Sequence, residues 1–406
     1  MRILVVSQYF WPENFRINDL VSSLTGRGHA VTVLTGLPNY PDGAVFAEFR
    51  SDPQRFAEYL GAPVVRVPML SRGRGGLRLA LNYATFALSA CLAGAWRLRG
   101  RRFDAIFVFE PSPVTVGLPA VLLRRLKRAP LAFWVLDQWP ETLLAVGAVR
   151  SRRLLDAVGR LVSFIYRRCD LLLAQSRSFI PQIRRYAGPR PRVEYFPSWS
   201  DAPPAVVDQD TPAREVPNVP GAFTVLFAGN IGDAQDFPAV LRAAELLKDR
   251  DDIRWVVVGD GRRAEWLGQE VQRRGLGKRI SLLGRFPLER MPSFFCSADA
   301  LLVSLKAEPI FAMTIPGKVQ AYLASGKPVL AMLDGEGADL IERSGAGLVC
   351  AAGDAAGLAR NVARMADMPP AERAAIAERA QRLSTSEFDR DALIGRLDGW
   401  LEALRP

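Results

Sequence analysis

Trp255-Val256-Val257-Val258-Gly259-Asp260-Gly261-Arg262 sets an unbroken apolar run against a glycine turn that ends in a basic residue. A run without polar alternation suits a strand buried on both faces, and the turn suits a short passage into a helix. The same unit recurs outward from this point. It is preceded by Phe223 to Phe227 and followed by Ile280 to Leu283, Ala300 to Val303, Pro328 to Ala331 and Gly347 to Val349. An earlier set comprises Ile3 to Val6, Val31 to Thr35, Val64 to Val67, Ala105 to Phe109, Leu131 to Val135, Leu171 to Ala174 and Val193 to Phe196. Strands of this kind separated by helical patterns predict an α/β protein, two tandem doubly wound Rossmann-like domains with parallel sheets. Residues 197–221 are rich in Pro, Asp and Ala and read as a linker, which gives domains 1–200 and 201–386. Leu393, Leu397 and Leu401, beside Trp400, predict a terminal helix within 387–406 that packs back on the first domain. In such folds ligands bind at the carboxyl ends of the strands, here expected to face one cleft.

The 406 residues are 49% hydrophobic and 23% charged, too apolar for a disordered chain, and no internal repeat supports a solenoid. Cys91, Cys169, Cys296 and Cys350 lie far apart, so they read as buried thiols in a reducing compartment rather than as disulfides or metal ligands. The sole histidine, His29, argues against a His-based nucleophilic triad and His-rich metal sites. The opening apolar run is short and lacks a cleavage site, so a cytoplasmic protein is expected.

The net charge of +11 is uneven. Residues 1–200 carry 28 Lys and Arg against 13 Asp and Glu, and the remainder carries 25 against 29. A basic excess confined to one half predicts an anionic surface or ligand for that half. Leu79 to Trp96 holds no charge, is preceded by Arg72, Arg74 and Arg78, and is followed by Arg97, Arg99, Arg101 and Arg102. On a helix, Arg78, Asn82, Thr85 and Ser89 share a narrow stripe and leave a broad apolar face, which fits a helix lying in a membrane surface. Two further segments, Leu122 to Arg128 and Arg153 to Arg167, also mix leucines with arginines and fit either a lipid surface or a sheet-packing helix. The basic residues alternate with aliphatic rather than aromatic side chains, so no nucleic acid is expected.

The first strand leads into Gln8 to Arg16 without a glycine, and the chain has neither a dinucleotide fingerprint nor a Walker A sequence. Glycines cluster instead after strands of the second half: Gly229, Gly232, Gly259, Gly261, Gly284 and Gly317. Such turns let backbone approach a phosphate, and Arg262, Arg285 and Lys318 stand beside them.

The Val-Val-Gly-Asp-Gly turn, the Leu-Gly-Arg after the next strand and the run from Glu308 to Ala331 resemble the donor-binding half of GT-B, family 4 glycosyltransferases. Ser7 to Arg16, Gly36 to Pro41 and Trp134 to Glu141 are similar to the bacterial subgroup of L-fucosamine and colanic-acid glycosyltransferases. The resemblance implies retaining transfer of a sugar from a nucleotide-sugar donor, with no metal or other cofactor, to a lipid-diphosphate-linked sugar acceptor. It further implies a peripheral position on an anionic membrane surface, at the inner face of the cell membrane. The subgroup points to a UDP-linked N-acetylated hexosamine, in full or deoxy form.

Carried onto these positions, the resemblance implies donor contacts from Gly229, Asn230, Gly259, Gly261, Arg262, Arg285, Phe311, Lys318 and Gln320, with Glu308 in the donor loop as a further catalytic candidate. It implies acceptor contacts from Asn14, Arg16, Asn39 and Tyr40. Asn230 and Gln235 stand where many members have basic residues, and Gln320 where many have a glutamate. Asp137, Glu13 and Glu141 are the carboxylates placed to orient the acceptor or steady an oxocarbenium-like centre, with capping of a helix amino end as the competing role of each. A nonhydrolysing sugar-nucleotide epimerase and an inactive scaffold for a membrane partner are the alternative functions.

Overall fold

The computed structural model describes residues 1–405 apart from 42, 74, 146, 148, 150 and 200–210. Arg74 and much of the expected linker therefore lie outside the described residues. The chain divides into two compact units, Met1–Pro197 with Asp391–Pro406, and Ser198–Arg390.

The first unit is built on β1 (Arg2–Ser7), β2 (Ala30–Thr35), β3 (Glu58–Tyr59), β4 (Ala62–Arg66), β5 (Ala105–Glu110), β6 (Leu131–Val135), β7 (Leu171–Ala174) and β8 (Arg192–Tyr195). Their order is β3-β4-β2-β1-β5-β6-β7-β8, parallel except for the β3–β4 pair. Ile3 to Val6 and every residue of β5 and β6 are buried, as a sheet covered on both faces requires. Chain order reverses between β1 and β5, so the loops that leave these strands diverge and open a crevice at their carboxyl ends. The terminal helix Arg390–Ala403 belongs to this unit, tied by the His29–Asp398 pair at 2.7 Å and by Arg396 to the Tyr195 carbonyl.

The second unit holds β9 (Phe223–Ala228), β10 (Ile253–Val258), β11 (Ile280–Gly284), β12 (Ala300–Ser304), β13 (Val329–Met332) and β14 (Gly347–Cys350). All pair in parallel, in the order β11-β10-β9-β12-β13-β14. Alternate residues of β9 feed separate cores. Phe223, Val225 and Phe227 pack on one face, and Leu226 and Ala228 on the other. Here the reversal falls between β9 and β12.

The described parts of the expected linker, residues 197–199 and 211–221, are not a free connection: Trp199 is buried. Ala213 and Val216 are buried in the second unit's core, and Glu215 pairs with Arg290 at 2.9 Å. Ala213, Val216 and Val219, scattered among three prolines, form too weak a pattern to reveal this. The four cysteines are unpaired thiols, but only Cys169 is fully buried.

Among the described residues, one helix, Gly76–Arg97, is long and apolar enough to cross a membrane by length and composition. It is built inside out. Leu77, Leu88, Leu92 and Trp96 are 76%, 61%, 66% and 63% exposed, and Leu81 joins them on one stripe. Asn82 is fully buried beneath, donating to the Leu70 carbonyl at 2.6 Å, while the Thr85 hydroxyl accepts from the Leu70 amide at 3.1 Å. At Ala90–Gly94 the helix widens into a π turn, where Gly94 sits against Leu34.

Candidate functional site

In the second unit the glycine turns hold the strand ends together. A Cβ on Gly259, whose φ is +146°, would fall 1.9 Å from the Gly229 carbonyl oxygen, so only glycine lets the two turns touch. The amides of Gly229, Gly259 and Gly261 donate to Val258, Gly284 and the Asp260 carboxylate. These three N–H groups are thus paired within the protein. Their contribution is closeness: they bring the ends of β9, β10 and β11 into one patch.

Lys318 reaches that patch from the first turn of the helix Gly317–Ala324. One turn further, the buried Tyr322 hydroxyl accepts from the Ala228 amide at 2.9 Å and donates to the Ala228 carbonyl at 3.1 Å, which fixes the helix against the end of β9. The Lys318 side chain is laid over Phe227, with Nζ 3.6 Å from the ring centroid. A Cβ on Gly229 would stand 3.2 Å from that Nζ. The ammonium is shielded from solvent and has no hydrogen-bond partner, and burial lowers its pKa to about 7. A buried cation without a counter-ion is costly unless an anion arrives.

The remaining donor candidates differ in readiness. Arg262 and Arg285 are exposed, without an ion-pair partner among the described residues, whereas Arg263 pairs with Asp233 at 3.4 Å. Asn230 Nδ2 lies 3.5 Å from Gln235 Oε1, which also accepts from the Gly232 amide at 3.0 Å, so this uncharged pair closes its own loop. Gln320 is 1% exposed, and its amide nitrogen lies 3.0 Å from the Pro316 carbonyl oxygen and 2.9 Å from that of Gly317. That nitrogen secures the helix's first turn. Glu308 is exposed and precedes the short helix Pro309–Ala312, which carries the half-buried Phe311.

In the first unit Glu13 is 2% exposed and braces a loop. Its Oε1 accepts from the amides of Asn39 at 2.8 Å and Tyr40 at 2.7 Å, and its Oε2 from Phe10 at 3.1 Å. Burial raises its pKa, opposed by those amides. These three amides make Glu13 a brace that shapes the Asn39–Tyr40 loop. Asn39 is likewise buried, donating to the Leu37 carbonyl and accepting from the Arg72 amide. Tyr40 packs against Tyr9 and Phe15 under the Arg72 guanidinium, Asn14 is exposed, and Arg16 begins the helix Arg16–Gly26.

Asp137 sits just beyond β6, half-buried. Its Oδ1 accepts from the Thr142 hydroxyl at 2.5 Å and its Oδ2 from the Trp139 indole at 3.1 Å. Both are side-chain donors, so helix capping through a backbone amide is not its arrangement. Glu141, at the start of the helix Glu141–Ala145, accepts from Tyr186 at 3.1 Å and from Gln182. Its second oxygen is buried and unpartnered. Glu110, at the end of β5, belongs to none of the sequence motifs above. It is fully buried, with one oxygen unpartnered and the other 3.4 Å from the Asp137 amide. Burial first, and the Asp137 charge second, push its pKa well up. A carboxylate directly after an all-apolar strand beside the reversal point was the available signal.

The crevice of the first unit thus gathers carboxylates in distinct environments, and that of the second gathers an anion-seeking lysine. Each half of the chain also matches a family model. Residues 14–199 match the family described as "Glycosyl transferase 4-like domain", and residues 222–368 match "Glycosyl transferases group 1". The "Probable glycosyltransferase WbjE" of Pseudomonas aeruginosa is 28% identical over 315 residues, 74% of this chain and 73% of that protein. The "Putative colanic acid biosynthesis glycosyl transferase WcaI" of Escherichia coli K12 is 26% identical over 344 residues, 80% of this chain and 82% of that one. Among solved structures, Anabaena HepE in complex with UDP and glucose superposes with a TM-score of 0.67 at 17% identity, covering 99% of this chain and 100% of HepE. WaaG, a glycosyltransferase of lipopolysaccharide biosynthesis, gives 0.63 at 16%, covering 99% of each. These two likenesses bear on the fold, which is GT-B; with both halves matched in order by their family models, the chain belongs to the family 4 glycosyltransferases of that fold.

Proposed function

We propose that the protein moves a sugar from a nucleoside diphosphate to a lipid-diphosphate-linked acceptor in bacterial polysaccharide assembly, working as a peripheral protein on the inner face of the cell membrane. The observation that carries the lipid part is the helix Gly76–Arg97, which buries Asn82 and exposes its leucines. Five large apolar side chains on one exposed stripe cost solvation in water and gain it in a lipid interface. Arg78 and Arg97 at its ends, with Arg99 stacked over Trp96 at 4.1 Å, supply cations for anionic headgroups.

The donor part rests on Lys318, a shielded ammonium that a diphosphate would complete. HepE has been captured with UDP and with UDP-glucose, which supports a nucleotide-sugar in the corresponding half of this chain. The favoured donor is UDP carrying an N-acetylated hexosamine, in full or deoxy form, and no metal or other cofactor is required. In the retaining reaction the bond from the anomeric carbon to the phosphate oxygen breaks while a bond to the acceptor oxygen forms on the same face. The acceptor proton passes to the departing phosphate. Lys318 and the amino end of its helix meet the charge that grows on that phosphate, and Asp137 orients the acceptor hydroxyl.

Incubation with a panel of radiolabelled sugar nucleotides and a bacterial lipid extract tests the reading. Labelled lipid with a retained anomeric configuration supports it. An epimerised free nucleotide, or no product across the panel, overturns it.

A further inference from the structure

The helix Gly76–Arg97 does more than present leucines. Tyr83, on its inward side, meets Trp139 with ring centroids 6.4 Å apart and planes at 65°. Trp139 stands on the loop that follows β6, so this one side chain ties the helix to that loop. Trp139 in turn donates its indole N–H to Asp137. Asn82 and Thr85, on either side of Tyr83, are locked to Gln8 and to the backbone of Leu70. The helix therefore cannot slide or turn without carrying Tyr83 against Trp139.

We propose that Tyr83 is a positioning residue for the acceptor: the lipid-facing helix seats it, and it sets the Trp139 indole and through it the Asp137 carboxylate. Membrane contact and the aim of the acceptor carboxylate are then one mechanical unit within the first domain. The inference rests on the acceptor and lipid reading of Asp137 and of this helix given above. A displacement of about 1 Å at a reacting group costs on the order of a hundredfold in rate, so a small shift of the helix is enough to matter.

The test uses the full chain on anionic vesicles bearing the lipid-linked acceptor, comparing Tyr83→Leu, Tyr83→Phe and Trp139→Phe. Tyr83→Leu lowers kcat at least tenfold while the donor KM and sedimentation with vesicles stay at wild-type values, and Tyr83→Phe, which keeps the ring against the indole, restores most of the loss. Trp139→Phe, which removes the indole N–H and shrinks the ring that Tyr83 meets, loses kcat in the same way and serves if the leucine variant fails to fold. Added to Asp137→Asn, Tyr83→Leu costs little more, because both act on one step. Wild-type kcat in Tyr83→Leu or Trp139→Phe, an equal loss of donor binding, or full additivity with Asp137→Asn overturns the inference. If the wild-type protein itself labels no lipid, the underlying reading fails with it. If it does and Tyr83→Leu matches it, the inference alone fails.

Discussion

Gln8 Nε2 donates to Asn82 Oδ1 at 2.8 Å, so the one amide side chain of the long apolar helix is spent on the loop after β1. The leucines on the opposite side are left to solvent, and the consequences of that inversion reach both the surface and the crevice of the first domain.

Leu88→Glu with Leu92→Glu should abolish most binding to anionic vesicles without lowering the melting temperature. Both side chains are more than half exposed, so folding loses little by the change. Withdrawing a leucine from an apolar surface forfeits about 1.5–3 kcal/mol when its burial there is complete. Vesicle sedimentation should fall at least tenfold. Unchanged sedimentation would remove the helix from the membrane contact.

Lys318 makes donor binding depend on pH. Its folded-state pKa, about 7, lies below the unfolded value of 10.5, so between these the unfolded chain holds the extra proton and stability rises with pH. Lys318→Met should flatten that rise in melting temperature from pH 7 to 10. Binding of a diphosphate has the opposite sense, since the bound anion favours the ammonium. UDP affinity measured by calorimetry should weaken above about pH 7, by up to about tenfold per pH unit. In Lys318→Met it should be weak and flat.

Glu110 gives a slope of the other sign in the first domain. Burial and Asp137 raise its pKa, so the folded state holds a proton that the unfolded chain releases. Stability from this group is full below the ordinary carboxyl range and is lost as pH rises toward the raised value. Glu110→Gln should therefore lose less melting temperature than wild type between pH 5 and 8. Parallel curves would show that Glu110 is not held neutral.

Asp137→Asn should leave the fold nearly unchanged, within about 1 kcal/mol, because the Thr142 hydroxyl can turn to accept from the new amide while Trp139 keeps an oxygen. Lipid transfer should drop at least tenfold at saturating donor, with UDP affinity as in wild type. Equal transfer by both proteins would return the acceptor role to Glu141.

The strands were legible because β5, β6 and β9 are apolar on both faces, in short runs closed by turn residues that suit a buried strand better than a helix. The two-residue β3 carries no such run, so the sequence pattern does not reveal it. Sequence spacing also put Asp137 just beyond its strand and Lys318 at the start of a helix, as the structure has them. What it could not show was how each polar group is spent. Glu13 and Gln320 look like ligands in one dimension, and the backbone groups that folding brings to them are not legible there. Glu110 and Tyr83 look like parts of a strand and a helix, and acquire meaning only from residues more than 20 positions away.

The central claim is transfer to a lipid-linked sugar, and the most direct measurement is the partition of label after reaction. The protein is incubated with UDP-N-acetylhexosamines radiolabelled in the sugar, in full and deoxy form, and with vesicles carrying lipid-diphosphate-linked sugar acceptors. The account predicts label in the organic phase, released by mild acid as a lengthened saccharide, and lost when Asp137 is replaced by Asn. Label that remains wholly in the aqueous phase, as free or epimerised nucleotide, would contradict it.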